Sequence, residues 1–195
     1  MRNLKRTLSL VLAAAMLIGM MVVSASAVEF KDQADISYDE AVSVMAEIGI
    51  LEGNNGSFDP TGILTREQAA KIITYVVMGK EKAEKLAASS TFDDVKATDW
   101  AAKYIAYCSA KNIIAGDGTG KFNPKGELTG FAFGKMLLVA LGFDPAACGL
   151  TGGNWEINTS TLLAAEKLDA GLESVVLGSS MTREQAAQMA LNAMK

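Results

Sequence analysis

Phe58-Asp59-Pro60-Thr61-Gly62-Ile63-Leu64-Thr65-Arg66-Glu67-Gln68-Ala69-Ala70 returns as Phe122-Asn123-Pro124-Lys125-Gly126-Glu127-Leu128-Thr129-Gly130-Phe131-Ala132-Phe133-Gly134. Its second half returns a third time as Met181-Thr182-Arg183-Glu184-Gln185-Ala186-Ala187. The aligned threonines, Thr65, Thr129 and Thr182, stand 64 and then 53 residues apart. Repeats of this length are one supersecondary unit used several times, each unit burying its apolar face against its neighbours. Such an arrangement favours a multivalent binding module over an enzyme with one active site.

Each unit reads helix, glycine-bearing loop, helix. Ser37-Tyr38-Asp39-Glu40 has the form of a capping box with Ser37 at the N-cap, and Ala41, Val44, Met45 and Ile48 follow at helical spacing. Gly53 to Pro60 is turn chemistry, and Thr65-Arg66-Glu67-Gln68 is a second capping box opening a helix striped by Ala69, Ile72, Ile73, Val76 and Val77. The second unit predicts a helix holding Trp100, Tyr104, Ile105 and Cys108, a loop over 112–124, and a helix over about 129–141. The third is abbreviated. It predicts a helix around 160–168 after Trp155, a loop without Phe-x-Pro, and a last helix capped by Thr182 and striped by Ala186, Met189, Ala190 and Ala193. The connector 80–88 holds only good helix formers and reads as helical.

The first 27 residues read as a secretory signal peptide: basic Arg2, Lys5 and Arg6, an apolar run from Leu8 to Val23, and Ala25-Ser26-Ala27 as the cleavage site. A retained membrane anchor is the rival reading, but the run is short against the about 20 apolar residues of a spanning helix. Cleavage would remove three cations and leave 15 basic against 22 acidic residues, net −7. A surface so acidic does not suit nucleic acid, whose binding rests on Lys and Arg neutralising phosphates. After cleavage no membrane span is expected. The two cysteines form no disulfide framework: Cys108 falls at an apolar core position and Cys148 in a connector, and both read as thiols. Histidine is absent, which removes the commonest general base and the commonest metal ligand.

Phe92-Asp93-Asp94-Val95, Trp100-Ala101-Ala102-Lys103-Tyr104-Ile105, Ile113-Ile114-Ala115-Gly116, Phe122-Asn123-Pro124 and Leu128-Thr129 together resemble the surface-layer homology (SLH) repeat. Unit one carries the resemblance through Ile50-Leu51-Glu52-Gly53, Phe58-Asp59-Pro60 and Leu64 to Gln68, and unit three through Met181 to Gln185. The resemblance implies an all-α fold: three helix-loop-helix repeats in a pseudo-three-fold module around a central helix bundle. The divisions would be 1–27 signal peptide, 28–88 repeat 1, 89–150 repeat 2 and 151–195 the abbreviated repeat 3. It further implies a secreted protein of the cell wall or S-layer. Such a protein is anchored non-covalently by secondary cell-wall polysaccharide, carrying pyruvate ketals, bound in grooves between repeats. Other surface-layer proteins are a second class of partner, and the alternative function is a protein–protein interaction module in envelope assembly. No catalysis, cofactor or metal is expected. The last helix runs to the final residues, which leaves open an amino-terminal anchor of a longer protein, a free-standing wall protein or an adaptor.

The expected carbohydrate-binding residues are Arg66, Arg183, Thr65, Thr182, Trp100, Gly53 and Gly116. With Thr65 and Thr182 as N-caps, Arg66 and Arg183 fall at the first helical position, where free backbone N–H groups, the positive helix end and a guanidinium fork can converge on an anion. A pyruvyl carboxylate is an anion of suitable size. The competing reading pairs these arginines with Asp59, Glu67 or Glu184 on a solvated surface. Trp100 could stack on a sugar face or pack in the core. Gly53 and Gly116 could admit a saccharide close to the backbone or merely serve turns. Gly130 stands where the second unit should carry its arginine, so a groove relying on it should lose its guanidinium. Asp117-Gly118-Thr119-Gly120 lacks the oxygen ligands of a calcium loop, and the acidic pairs Asp93-Asp94 and Asp32-Asp35 read as solvated surface.

Overall fold

The structure, a computed structural model, describes residues 28–89 and 92–195. The expected signal peptide lies outside the described residues. Among the described residues a 3₁₀ turn at Gln33–Asp35 precedes seven α-helices: α1 (Asp39–Glu47), α2 (Arg66–Met78), α3 (Lys80–Glu84), α4 (Ala102–Ala110), α5 (Gly130–Ala140), α6 (Trp155–Ala165) and α7 (Arg183–Asn192). Among the described residues no helix is long and apolar enough to cross a membrane.

The three helices opened by threonine form the centre. Thr65 accepts from Gln68 N–H and Thr182 from Gln185 N–H, each in a complete capping box, while Thr129 accepts from Ala132 N–H alone. Their apolar stripes, including Ile72 and Ile73 on α2, Phe133 and Leu137 on α5, and Ala186 and Ala190 on α7, are buried against one another. The segments entering these helices close a ring on the axis. Leu64 N–H donates to Met181 O (2.8 Å), Met181 N–H to Leu128 O (2.8 Å), and Leu128 N–H to Leu64 O (3.2 Å). All three side chains are buried, so none of these polar groups could be left to water.

The outer helices do not pack mainly on their own unit's inner helix. α4 packs on α2, α6 on α5, and α1 on α7, so each outer helix covers the inner helix of the preceding unit and the first unit closes on the last. This exchange makes the pseudo-three-fold module. It follows from burial, because α2, α5 and α7 expose apolar surface on more than one side and no single helix-loop-helix unit can cover it.

Four boundaries differ from the sequence reading. The first helix is capped by Tyr38, not Ser37, with no side-chain cap of its own. Ser37 N–H and Tyr38 N–H donate instead to the buried carboxylate of Glu184 on α7, at 2.7 and 3.3 Å, which takes over the task expected of Glu40. Its buried face is Ala41, Val42 and Met45, while Ile48 is exposed. The connector helix stops at Glu84, not 88, where the Glu84 carboxylate accepts from Tyr75 of α2 and Tyr104 of α4. Trp100 precedes α4, which starts at Ala102, and Trp155 opens α6. Both cysteines are thiols, and burial pushes Cys108 up to about 11.

Candidate functional site

The loop of the first unit is built by its own residues. Asp32 accepts from Phe58 N–H (2.8 Å) and Asp59 N–H (2.7 Å), and the rings of Phe30 and Phe58 pack at 5.3 Å. The second unit copies this: Asp94 accepts from Phe122 N–H (2.8 Å) and Asn123 N–H (2.7 Å), and Phe92 packs on Phe122 at 5.3 Å. Bonds from these amides hold both carboxyls below the usual range. Asp32 and Asp94 are therefore loop organisers, not the bare surface acids expected from sequence. The signal was present in the paired strings Phe30-x-Asp32 and Phe92-x-Asp94. Gly53 and Gly116 are explained here too. A Cβ at either would stand 2.6 Å from a backbone carbonyl, Ser57 O or Lys121 O, and 2.7 Å from the ring of Phe30 or Phe92, so the packing of the loop itself already requires glycine at both positions.

Each loop is then held by the preceding inner helix around the ring. Arg66 on α2 donates Nε–H to Phe122 O and an Nη2 hydrogen to Ala115 O, both at 2.8 Å, and lies over the Phe122 ring at 4.5 Å. Arg183 on α7 does the same to the first unit, donating to Phe58 O (3.0 Å) and Glu52 O (3.1 Å) over the Phe58 ring. The helix-start amides are also taken: Arg66 N–H and Glu67 N–H donate to Gly126 O and Pro124 O, Arg183 N–H and Glu184 N–H to Gly62 O and Pro60 O. The vacant amides expected at these helix starts are thus filled by loop carbonyls. Glu67 pairs with Lys125 and Glu184 with α1, so the solvated pairing with these glutamates does not describe the arginines either. Burial pulls both guanidinium pKa values down, opposed by Asp117 and Asp94 for Arg66 and by Asp59 and Asp32 for Arg183. Both stay cationic.

Three grooves follow from the rotation. The first, of about 720 Å³, is lined by the loop residues Glu52, Gly53 and Asp59, by Gln68 and Lys71 of α2, by Trp100 from before α4, and by Arg183. Trp100 is 49% exposed, so it is no core residue. Lys71 pairs with Glu52 at 3.3 Å. Thr65 and Thr182 cap their helices, and neither lines this groove. At the next position around the axis the repeat register sets Arg66 in the place of Arg183, Lys135 in that of Lys71 and Trp155 in that of Trp100, with Lys135 Nζ 5.3 Å from the centre of the Trp155 ring. The third, of about 480 Å³, is lined by Ser37, Tyr38, Ser174, Val176, Ser179 and Gln185. By repeat register Gly130 stands for the arginine, Gln188 for the lysine and Ser37 for the tryptophan, and of these Ser37 lines the groove. Lys71 and Lys135 were missed in the sequence, although they are spaced as Thr65 and Thr129 are.

The missing guanidinium of Gly130 therefore falls on the third unit's loop, not the second's. Gly130 N–H and Phe131 N–H donate to Ser179 O and Leu177 O, and a Cβ at Gly130 would stand 2.8 Å from Leu177 Cδ2 and 3.0 Å from its Cα. The third loop has no Phe-x-Pro turn for an arginine to hold and packs against the helix where the arginine would be. The two departures are one structural fact.

Two of these units match a known family. Residues 29–70 and 91–133 match the S-layer homology domain family. These two segments are S-layer homology domains. It is 28% identical over 151 residues to a surface layer protein of Brevibacillus choshinensis, covering 75% of this chain and 13% of that protein. The middle cell wall protein of Brevibacillus brevis is 30% identical over 118 residues, 60% of this chain and 11% of its own length. The exoglucanase XynX of Acetivibrio thermocellus is 32% identical over 94 residues, 47% of this chain and 9% of its own length. The chain thus spans a small part of the curated relatives it matches. Family and relatives together mark a secreted protein of the cell wall or S-layer with a role in cell-surface anchoring.

Proposed function

We propose that this S-layer homology protein holds to the bacterial envelope non-covalently by binding an anionic secondary cell-wall polysaccharide in its first two grooves, and that residues 151–195 form a third, abbreviated repeat. The observation that carries this reading is the recurrence of one Arg–Lys–Trp set: Arg183, Lys71 and Trp100 line one groove, and Arg66, Lys135 and Trp155 stand at the equivalent positions of the next repeat. An indole offers a flat apolar face to a sugar ring and the adjacent cations favour a carboxylate such as a pyruvate ketal. The guanidinium, fixed on loop carbonyls through Nε and Nη2, presents its charge as a rigid wall of the groove. Lys71 exchanges Glu52 for the ligand's carboxylate. No acid–base chemistry is assigned to either groove. Two grooves on one rigid module add avidity on a repeating polymer.

Purified wall sacculi, with and without their polysaccharide stripped, test the reading. The parent binds intact walls and loses them on stripping, and Lys71→Ala plus Lys135→Ala loses intact walls as well. Retention by stripped walls, or wall binding unchanged in the double variant, overturns it. A second reading, contact with another surface-layer protein, is favoured by Ile157 and Val176, which are 67% and 71% exposed. Its outcome in the same experiment is retention by stripped walls that still hold their surface-layer protein.

A further inference from the structure

The two equipped grooves differ in what stands behind them. In the first, Tyr75 and Tyr104 are both buried and both donate to one carboxylate oxygen of Glu84, Tyr104 at 2.6 Å, with the two hydroxyls 3.2 Å apart. The other oxygen of Glu84 accepts from Lys103 Nζ at 2.6 Å. Each tyrosine supports one groove residue. Lys71 Nζ lies 5.3 Å from the centre of the Tyr75 ring, and Trp100 packs on Tyr104 at 6.3 Å. Lys71, which also pairs with Glu52, thus sits at Tyr75, and Trp100, half exposed, sits at Tyr104.

The second groove has no such hub. The turn bonds of Cys108 O and Leu163 O align α4 with α6 and set Thr159 at the place of Tyr104, while Val139 on α5 stands at that of Tyr75. The Thr159 hydroxyl is buried without a hydrogen-bond partner. Asp144, the acid of that connector, is spent on the amides of Ala146 and Ala147 in its own turn. With no tyrosine to rest on, Lys135 covers the Trp155 ring.

Resting on the groove assignment above, we propose that Glu84 is the positioning residue of the first groove, holding Lys71 and Trp100 apart so that cation and indole both face the ligand, and that this groove binds more tightly than the second. A ligand entering the second groove must first displace Lys135 from Trp155, which lowers its affinity by the fraction of open conformers.

The test uses the full secreted chain and a methyl hexoside carrying a pyruvate ketal as probe, followed by calorimetry. Lys135→Ala with Trp155→Ala isolates the first groove and Lys71→Ala with Trp100→Ala the second. The first groove alone binds more tightly than the second alone, and adding Glu84→Gln weakens it by about tenfold or more while leaving the second unchanged. In a Trp155→Phe chain, Glu84→Gln also shifts Trp100 emission, and Tyr75→Phe repeats the loss if the Glu84 variant folds poorly. Equal affinities, a Glu84→Gln effect shared by both grooves, or none in either, overturn the positioning role while the groove assignment stands. No probe binding by the parent, or parental binding in both double variants, overturns the groove assignment itself, and the positioning role with it.

Discussion

Arg183 lies over the ring of Phe58, 5.0 Å from its centroid, and donates Nε–H to the carbonyl of that same residue at 3.0 Å, across 125 residues of sequence. Arg66 and Phe122 repeat the relationship. One side chain thus joins the inner helix of one unit to the loop of the next and at the same time walls the groove beside that loop. Binding and folding share these residues.

The first prediction concerns that sharing. Arg66→Ala and Arg183→Ala should each lower stability by about 1.5–3 kcal/mol, the usual range for hydrogen bonds to a charged group. Lysine should restore little at either site, because an ammonium cannot fork to two carbonyls over an aromatic face. Urea unfolding measures this, and parental midpoints in both alanine variants would remove the arginines from the fold's supports. Binding losses in these variants must be compared at equal folded fraction.

Gly130→Arg gives the second. From sequence it restores a lost guanidinium. In the structure its Cβ meets Leu177, and the third loop offers no Phe-x-Pro turn to hold. The variant should be destabilised by about 1–3 kcal/mol through overpacking, with no gain in wall binding. Gly130→Ala, probing the Cβ alone, should show part of the same loss in thermal melting.

Glu184 caps α1 from the far end of the chain. Replacing it with Ala leaves two amides unpaired and should cost about 1–2 kcal/mol, as for a lost N-cap. Hydrogen exchange at Ser37 and Tyr38 should accelerate, and selectively so. Exchange unchanged at these two amides would mean that another group caps the helix.

The last prediction concerns pH. Lys103, with Tyr104 and Tyr75, holds the Glu84 carboxyl down at about 2, against an ordinary value of 4.5. A depressed acid stabilises the fold above its unfolded value and loses that contribution as pH falls through the folded one. The parent's melting temperature should therefore fall between about pH 4.5 and 2 by more than that of Glu84→Gln. Asp32 and Asp94 also have lowered values, and they act alike in both proteins. The difference will be modest, since the Glu84 side chain is 44% exposed and screened by solvent. Parallel curves would show that Glu84 contributes nothing through its charge.

Thr65, Thr129 and Thr182 with their apolar stripes were legible because caps and helical periodicity are local: the bonding partners lie three or four residues away. The Phe-Asx-Pro turns were legible for the same reason, and the repetition of these strings determined by itself that the protein is an all-α array of related units. The roles of single residues were not. Arg66, Arg183 and Glu184 act on backbone groups 49 to 147 residues distant. Gly130 depends on the shape of a loop in another unit. Trp100 is exposed, and α4 begins only at Ala102, two residues beyond it. None of these can be read from neighbours in sequence, since each partner arrives only when the outer helices pack on the preceding unit and the Leu64–Met181–Leu128 ring closes. The sequence determined the unit and its repetition, through short-range hydrogen bonds and the period of its apolar residues. The tertiary structure decided which unit serves which, because burial of the inner helices is satisfied only by exchange around the axis.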